Sequence, residues 1–244
     1  MTDSLIWISG ASSGIGQALA ATVPWDGARV IAVNRRPAEA ASEHLDVDLA
    51  DPASWAVVGE SFRRELASFA GERVVFIHAA GSLDPIGYAA DVDRDAYRAN
   101  VVLNSAAPQV LGQLFLAAAR RVEADRHLVM LTSGAARSVY PGWTSYGAAK
   151  AAVDQWVRNA GAEQAERGGV RVVAVGPGTV DTAMQAQLRE TTPDQFPQRQ
   201  KFVDLHAGGK LTAPEDAARA IWSLLDRDLA NGTVTDLREL SRTP

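Results

Sequence analysis

The stretch Leu5-Ile6-Trp7-Ile8-Ser9-Gly10-Ala11-Ser12-Ser13-Gly14-Ile15-Gly16, followed by Gln-Ala-Leu-Ala-Ala-Thr-Val, decides the fold. A short continuous apolar run is the pattern of a strand covered on both faces. It enters a glycine-rich turn and then a run of helix formers. Glycines let the backbone approach a pyrophosphate, and the free amides and dipole of a helix N-terminus attract negative charge. No Gly-Lys-Ser/Thr follows, which excludes a P-loop. A plain glycine-rich turn is the other reading at this point.

Working outward, Arg29–Val33 is a second strand that delivers Asn34-Arg35-Arg36-Pro37. In dinucleotide folds this strand end faces the adenosine ribose. A carboxylate there favours NAD; Asn34 has none, and Arg35 and Arg36 could pair with a 2′-phosphate, which points to NADP, with NAD disfavoured. Two solvated arginines in a loop is the alternative. The next strand, His44–Val47, follows too soon for a full crossover helix. Asp48 then opens a helix over about 53–69, with Trp55, Val58, Phe62, Leu66 and Phe69 on one face. A fourth strand, Arg73–His78, ends in Ala79-Ala80-Gly81, small residues that admit a ligand or make a tight turn.

A long helical pattern spans 91–123, interrupted near Ser105 to Pro108. Asn100 lies in its first half. An Asn within a helix competes for backbone hydrogen bonds. It either marks a local bulge that offers a carbonyl to water or substrate, or it is bonded structurally or faces solvent. The fifth strand, His127–Thr132, delivers Ser133, and Tyr146 and Lys150 stand one turn apart on a helix running to about Glu166. Phenol and ammonium therefore share a face. A free phenol titrates near ~10, too high for proton exchange at neutrality; a fixed cation beside it lowers that value. Tyr-x-x-x-Lys by itself equally describes an ordinary surface helix. The sixth strand, Val170–Val175, leads into Gly176-Pro177-Gly178-Thr179-Val180-Asp181-Thr182, a rigid turn near a ligand crevice. Residues 183–210 lose periodicity and are expected to be a substrate-side lid. A helix to about Leu225 and a short strand at Gly232–Leu237 complete the pattern.

The alternation implies an α/β fold: a Rossmann-type, doubly wound, mostly parallel seven-stranded sheet with helices on both faces, one domain across 1–244. Ligands bind such sheets outside the carboxyl ends of the strands. The glycine-rich turn, Asn34 to Arg36, Ala79 to Gly81, Ser133 and Gly176 to Gly178 all fall there. Hydrophobic residues make up 47% of the chain, enough for a sizeable core. A net charge of −5 argues against a nucleic-acid surface, and the absence of cysteine excludes disulfides and thiol chemistry. His44, His78, His127 and His206 show no metal-ligand spacing, so no metal is expected. No signal-peptide pattern opens the chain, and no apolar run approaches the ~20 residues that span a bilayer. A cytoplasmic protein is expected.

Taken together these motifs resemble the short-chain dehydrogenase/reductase family over nearly the whole chain. The family's Thr-Gly-x-x-x-Gly-x-Gly turn corresponds to Ser9-Gly10 through Gly14 and Gly16, with Ser for Thr; Ser12, Ser13 and Ile15 lie within it. The family's Asn, Ser, Tyr and Lys fall on Asn100, Ser133, Tyr146 and Lys150. Its Pro-Gly turn falls on Pro177-Gly178 with Val180 and Thr182 downstream, and its adenine-bracketing Asp on Asp48. The resemblance implies a carbonyl reductase or alcohol dehydrogenase using NADP, with Tyr146 as the acid–base group and Ser133 bonding the substrate oxygen. Lys150 holds the nicotinamide ribose and lowers the Tyr146 pKa, and Asn100 supports a relay water. It also implies a homodimer or homotetramer through the helices 105–123 and 146–166. The family's Asn-Asn-Ala-Gly is His78-Ala79-Ala80-Gly81 here, so two amide side chains need replacement. The absence of a Gly-Gly tail departs from the fatty-acid-synthesis ketoreductases and leaves a loose similarity to sepiapterin- and benzil-reductase-like members. A non-catalytic NADP-sensing protein is the alternative, which loss of Tyr146 or Lys150 would have favoured. An apolar or aromatic carbonyl compound suits Val139, Tyr140, Trp143, Met184, Phe196, Phe202 and Leu205 as a lining, although these side chains equally suit plain packing or subunit contact.

Overall fold

In the computed structural model, residues 3–240 are described. Seven strands, β1 (Ser4–Ser9), β2 (Arg29–Asn34), β3 (Glu43–Asp46), β4 (Arg73–His78), β5 (Asp125–Leu131), β6 (Arg171–Gly176) and β7 (Val234–Asp236), form one sheet in the order β3-β2-β1-β4-β5-β6-β7. Every neighbouring pair is parallel, so the sheet is wholly rather than mostly parallel. The chain leaves β1 in one direction to build β2 and β3, then returns to place β4 on the other side of β1. That reversal opens a crevice beyond the carboxyl ends of β1 and β4.

Alternation along β1 divides the core. Leu5 and Trp7 face α2 (Trp55–Leu66), α4 (Ala107–Ala119) and α5 (Thr144–Arg167); Ile6 and Ile8 face α1 (Gly14–Ala21) and α8 (Pro214–Ser223). On the first face Trp7, Phe62, Phe76 and Phe115 pack with ring centroids 5.1–6.3 Å apart. The indole nitrogen of Trp7 donates to Ser61 at 3.1 Å, so this buried ring leaves no polar atom orphaned.

One link matches the sequence expectation and two elements differ from it. No helix joins β2 to β3 among the described residues, as the short link requires. The interruption in the long helical pattern is a single π-helical turn, Val102–Ala106, between α3 (Arg94–Val101) and α4, so the helix continues through it. The resulting helix Arg94–Ala119 is long and apolar enough by composition to cross a membrane, but Leu111, Phe115 and Ala119 on it are fully buried against the sheet. Residues 183–210 are not irregular: they hold α6 (Ala183–Glu190) and α7 (Arg199–Ala207). Their periodicity is faint because both pack mainly on a small third cluster. There Leu83, Trp143, Tyr146, Leu188, Phe196 and Phe202 meet, separate from the two sheet cores.

Candidate active site

The seam between β5 and α5 is built from three consecutive residues meeting three successive helical turns. The Lys150 ammonium donates to the Leu131 carbonyl at 2.9 Å. The Thr132 hydroxyl donates to the Asp154 carboxylate, both groups being buried. Ser133 hydrogen-bonds the Tyr146 phenol, and its oxygen accepts from the Ala135 amide at 3.2 Å, starting a short turn, Gly134–Ala136. Tyr146, Lys150 and Asp154 are four residues apart and share one face, so the helix repeat registers them on the strand end. Asp154 was legible at that spacing; Thr132 was not.

Electrostatics here are set by burial. Tyr146 and Lys150 are 7% and 5% exposed. Burial pushes the phenol above its usual value, and the Ser133 hydrogen bond pulls it back. Burial also lowers the Lys150 ammonium to about 8, against the opposing pull of the Asp154 charge. The sequence expectation of a lowered phenol is not met: burial raises it, opposed by the Ser133 hydrogen bond, and Lys150 Nζ stands 5.7 Å from the ring centroid. The Asp154 carboxyl is itself raised by burial, opposed by the Thr132 hydrogen bond and by Arg158, Arg137 and Lys150.

At the β1–β4 crevice His78 stands where the family carries Asn. The Ser9 hydroxyl oxygen accepts from the Ala79 and Ala80 amides at 3.0 and 3.1 Å, and it lies 3.0 Å from His78 Nδ1. With both lone pairs engaged, Ser9 donates its hydrogen to Nδ1, which places the imidazole proton on Nε2. Desolvation, with help from the Lys150 charge, pulls His78 down to about 3, so the ring is neutral. Gly10 is required beside it. Its φ is +72°, and an added Cβ would lie 2.9 Å from the Ala80 backbone.

The bulge sought at Asn100 lies one turn later and carries Asn104, which the sequence reading missed. Asn104 is fully buried; its Oδ1 accepts from the Ser82 amide at 3.1 Å and its Nδ2 donates to the Ser82 carbonyl at 2.8 Å. A Cβ on Gly81 would meet both Asn104 Oδ1 and Lys150 Nζ, at 2.8 and 3.8 Å. Asn100 instead donates to the Ser82 and Asp84 carbonyls at 3.1 and 2.5 Å, holding the loop after β4.

Two hollows flank the glycine-rich turn. The larger, about 280 Å³, takes in Ile15, Ala79, Ser133, Tyr146, Lys150 and the 177–182 turn. The smaller, about 180 Å³, is bounded by Gly10, Ser12, Ser13, the Asn34-Arg35-Arg36 loop, Asp48 and Ala80. They share Gly81, and α1 begins between them with no side-chain cap from Ser13, which leaves its first amides for a ligand. That shape suits the two halves of a dinucleotide. Asn34 is turned away from a free position: its Oδ1 accepts from the Ala11 amide at 3.1 Å and its amide nitrogen donates to the Arg36 carbonyl. Arg35 and Arg36 are exposed, with Arg35 3.8 Å from Asp48. Val180 is buried and bridges to Thr212, and Thr182 precedes α6 with its hydroxyl donating to the Val180 carbonyl at 3.4 Å rather than capping the helix. Among the described residues no group of His, Asp and Glu could hold a metal ion.

A family model described as short chain dehydrogenase matches residues 4–193. The chain is 32% identical over 236 residues to the benzil reductase ((S)-benzoin forming) of Bacillus subtilis, an alignment covering 95% of this chain and 97% of that one. It is 29% identical over 242 residues to the 2,3-dihydro-2,3-dihydroxybenzoate dehydrogenase of Escherichia coli, covering 95% and 93%. Among solved structures, a short-chain dehydrogenase/reductase from Saccharomyces cerevisiae superposes with a TM-score of 0.82 at 22% identity, covering 96% of each chain. The angucycline C-6 ketoreductase LanV with bound NADP gives 0.78 at 21% identity, covering 97% of this chain and 94% of that one.

Proposed function

Because the chain belongs to the short-chain dehydrogenase family, we propose that it reduces small carbonyl compounds with NADPH, Tyr146 serving as general acid. The observation that carries this reading is the Ser133–Tyr146–Lys150 seam in the wall of the larger hollow, beside the glycine-rich turn. When bound, NADPH would supply the hydride. The glycine-rich turn from Gly10 to Gly16 and the first amides of α1 would hold its pyrophosphate, and Arg35 and Arg36 its 2′-phosphate. Asp48 would flank the adenine; Ala79, Ala80, Gly81 and the turn from Pro177 through Val180 to Thr182 would lie along the remainder.

Tyr146 is suited to giving up a proton. Burial favours its neutral form, so at neutral pH the phenol carries the hydrogen that a carbonyl oxygen needs. Ser133 offers a second donor to the same oxygen, where charge develops. Lys150 contributes a fixed positive charge and reaches the nicotinamide ribose, while the Leu131 carbonyl holds it in place. For the relay to solvent we favour Asn104 over Asn100. Asn104 sits in the π turn, where its Oδ1 and the Lys150 Nζ both border Gly81, whereas Asn100 precedes that turn and its amide nitrogen donates to the Ser82 and Asp84 carbonyls of the loop after β4.

The substrate wall supports an aromatic or apolar carbonyl compound. Trp143 packs 5.5 Å from the Tyr146 ring and 4.7 Å from Phe196, and the B. subtilis relative is a benzil reductase. Exposed Val101 and Val110 on the long helix, together with α5, support assembly as a homodimer or homotetramer. The test is to follow NADPH absorbance with benzil as substrate. Tyr146→Phe is expected to lose at least about a thousandfold in kcat while still binding NADPH; a variant that turns over normally would remove Tyr146 from the chemistry.

A further inference from the structure

Among the described residues the larger hollow is bordered by three cations, Lys150, Lys201 and Arg238, and by no Asp or Glu, although the whole chain carries a net charge of −5. Two of these charges are committed within the protein. Lys150 donates to the Leu131 carbonyl and faces Asp154. Arg238 grips Asp236 through two nitrogens at 2.8 and 2.6 Å. Lys201, on α7, is different: its Nζ donates to the neutral Tyr140 hydroxyl at 2.8 Å and stands 5.1 and 5.6 Å from the Tyr140 and Phe202 ring centroids. The acid nearest in sequence on its own helix, Asp204, accepts from Gln200 at 2.8 Å.

The pair is a set of donors. An ammonium has three hydrogens and no lone pair, and one hydrogen is used on Tyr140. Because the Tyr140 oxygen accepts that bond, its own hydrogen points elsewhere. Both groups thus present hydrogens, and the pair is complementary to an anion. The ground between it and the reacting centre is aromatic: Tyr140 lies 5.0 Å from Trp143, and Trp143 lies 5.5 Å from Tyr146.

We propose that Lys201 and Tyr140 form a carboxylate subsite, so that the preferred substrate is a carbonyl compound bearing a carboxylate across an aromatic spacer. This rests on the reductase reading of Tyr146. An acid group bonded directly to the carbonyl would lie beside Ser133, with the Tyr140 and Trp143 rings between it and Lys201 in the chain of contacts, so simple 2-oxo acids are the wrong shape.

The test compares 4-acetylbenzoate with its methyl ester. Binding is read by calorimetry with NADP+ present, and kcat/KM is measured separately with NADPH. The carboxylate is expected to bind about tenfold more tightly than the ester, an advantage that shrinks with added salt. In Lys201→Met, an exposed position whose replacement leaves the core intact, the ratio should fall to about one; in Tyr140→Phe it should fall part of the way. Equal binding of acid and ester by the unaltered protein overturns the subsite, as does a preference that survives in Lys201→Met. Should the binding preference hold while neither compound nor benzil is reduced, the reductase reading fails and the subsite stands. Turnover of benzil without the preference has the opposite meaning.

Discussion

Thr132 hands its hydroxyl hydrogen to Asp154, a buried carboxylate one helical turn beyond Lys150. The bond ties the residue before Ser133 to the helix that bears Tyr146, so the spacing of the reacting groups depends on a residue that touches neither substrate nor cofactor. Asp154→Asn keeps an acceptor for Thr132 and removes only the charge. That charge supports the Lys150 ammonium against burial, and is itself faced by the Arg158 and Arg137 cations. Without it the Lys150 value falls below about 8. That change moves the alkaline limb of the kcat profile for reduction to lower pH, by about one unit. Thr132→Val should lower kcat with little change in that limb, and Thr132→Ser should restore it. An unmoved limb in Asp154→Asn would make the carboxylate purely structural.

His78 predicts an acid limit to stability. Its folded value of about 3 lies below the ordinary 6.5, so the folded ring stays neutral where the unfolded chain takes up a proton. The stability it contributes is complete above pH 6.5 and falls away as the pH drops toward 3. One proton of linkage costs about 1.4 kcal/mol per pH unit. Urea midpoints measured between pH 6.5 and 4 should therefore fall more steeply for the unaltered protein than for His78→Asn. Other carboxylates titrate alike in both proteins, and parallel curves would refute the assignment.

The exposed arginines after β2 give a cofactor prediction. Arg35→Ala and Arg36→Ala are each expected to weaken NADPH binding about tenfold, the loss of a charge-assisted contact to phosphate, while NADH binding stays constant. Asn34→Ala should behave differently. It breaks the bonds to Ala11 and Arg36 that set the turn and the arginine loop against each other, and so weakens both cofactors. Fluorescence titration with the two nucleotides separates the cases.

Asn100 and Asn104 invite a direct comparison. Asn104→Ala is expected to cut kcat by about a hundredfold or more, because it frees Gly81 and Ser82 beside Lys150. Asn100→Ala leaves the Ser82 and Asp84 carbonyls short of a donor and should cost about 1–3 kcal/mol of stability with a smaller effect on kcat. Steady-state kinetics and thermal unfolding on both variants give the answer; the reverse ranking would return the relay to Asn100.

The sheet was readable because its signals are local. A buried parallel strand is an uninterrupted apolar run, and Gly10, Gly14 and Gly16 mark the turn after it; the same holds at β2, β4, β5 and β6. The Tyr146–Lys150 relation is also local, one helical turn. What escaped is long-range. Thr132 meets Asp154 across 22 positions and Lys201 meets Tyr140 across 61, and no periodicity announces such pairs. The π turn escaped because inserting one residue into a helix shifts the face of every later side chain, and Asn100 and Asn104 are alike in type. The helices α6 and α7 were invisible because their apolar positions answer to a few aromatic rings rather than to a flat sheet.

Those rings have one more consequence. Phe196, wholly buried, lies between Trp143 and Phe202, and the neighbouring Gln195 carbonyl sits against Gly142, where an added Cβ would approach to 2.5 Å. The wall of the larger hollow is thus a plug seated in its own small socket, separate from the packing that holds the strands together. Such a unit can open by local unfolding without loosening the sheet. Tyr146 is the one seam residue that shares this cluster, so the plug meets the seam between β5 and α5 through a single ring.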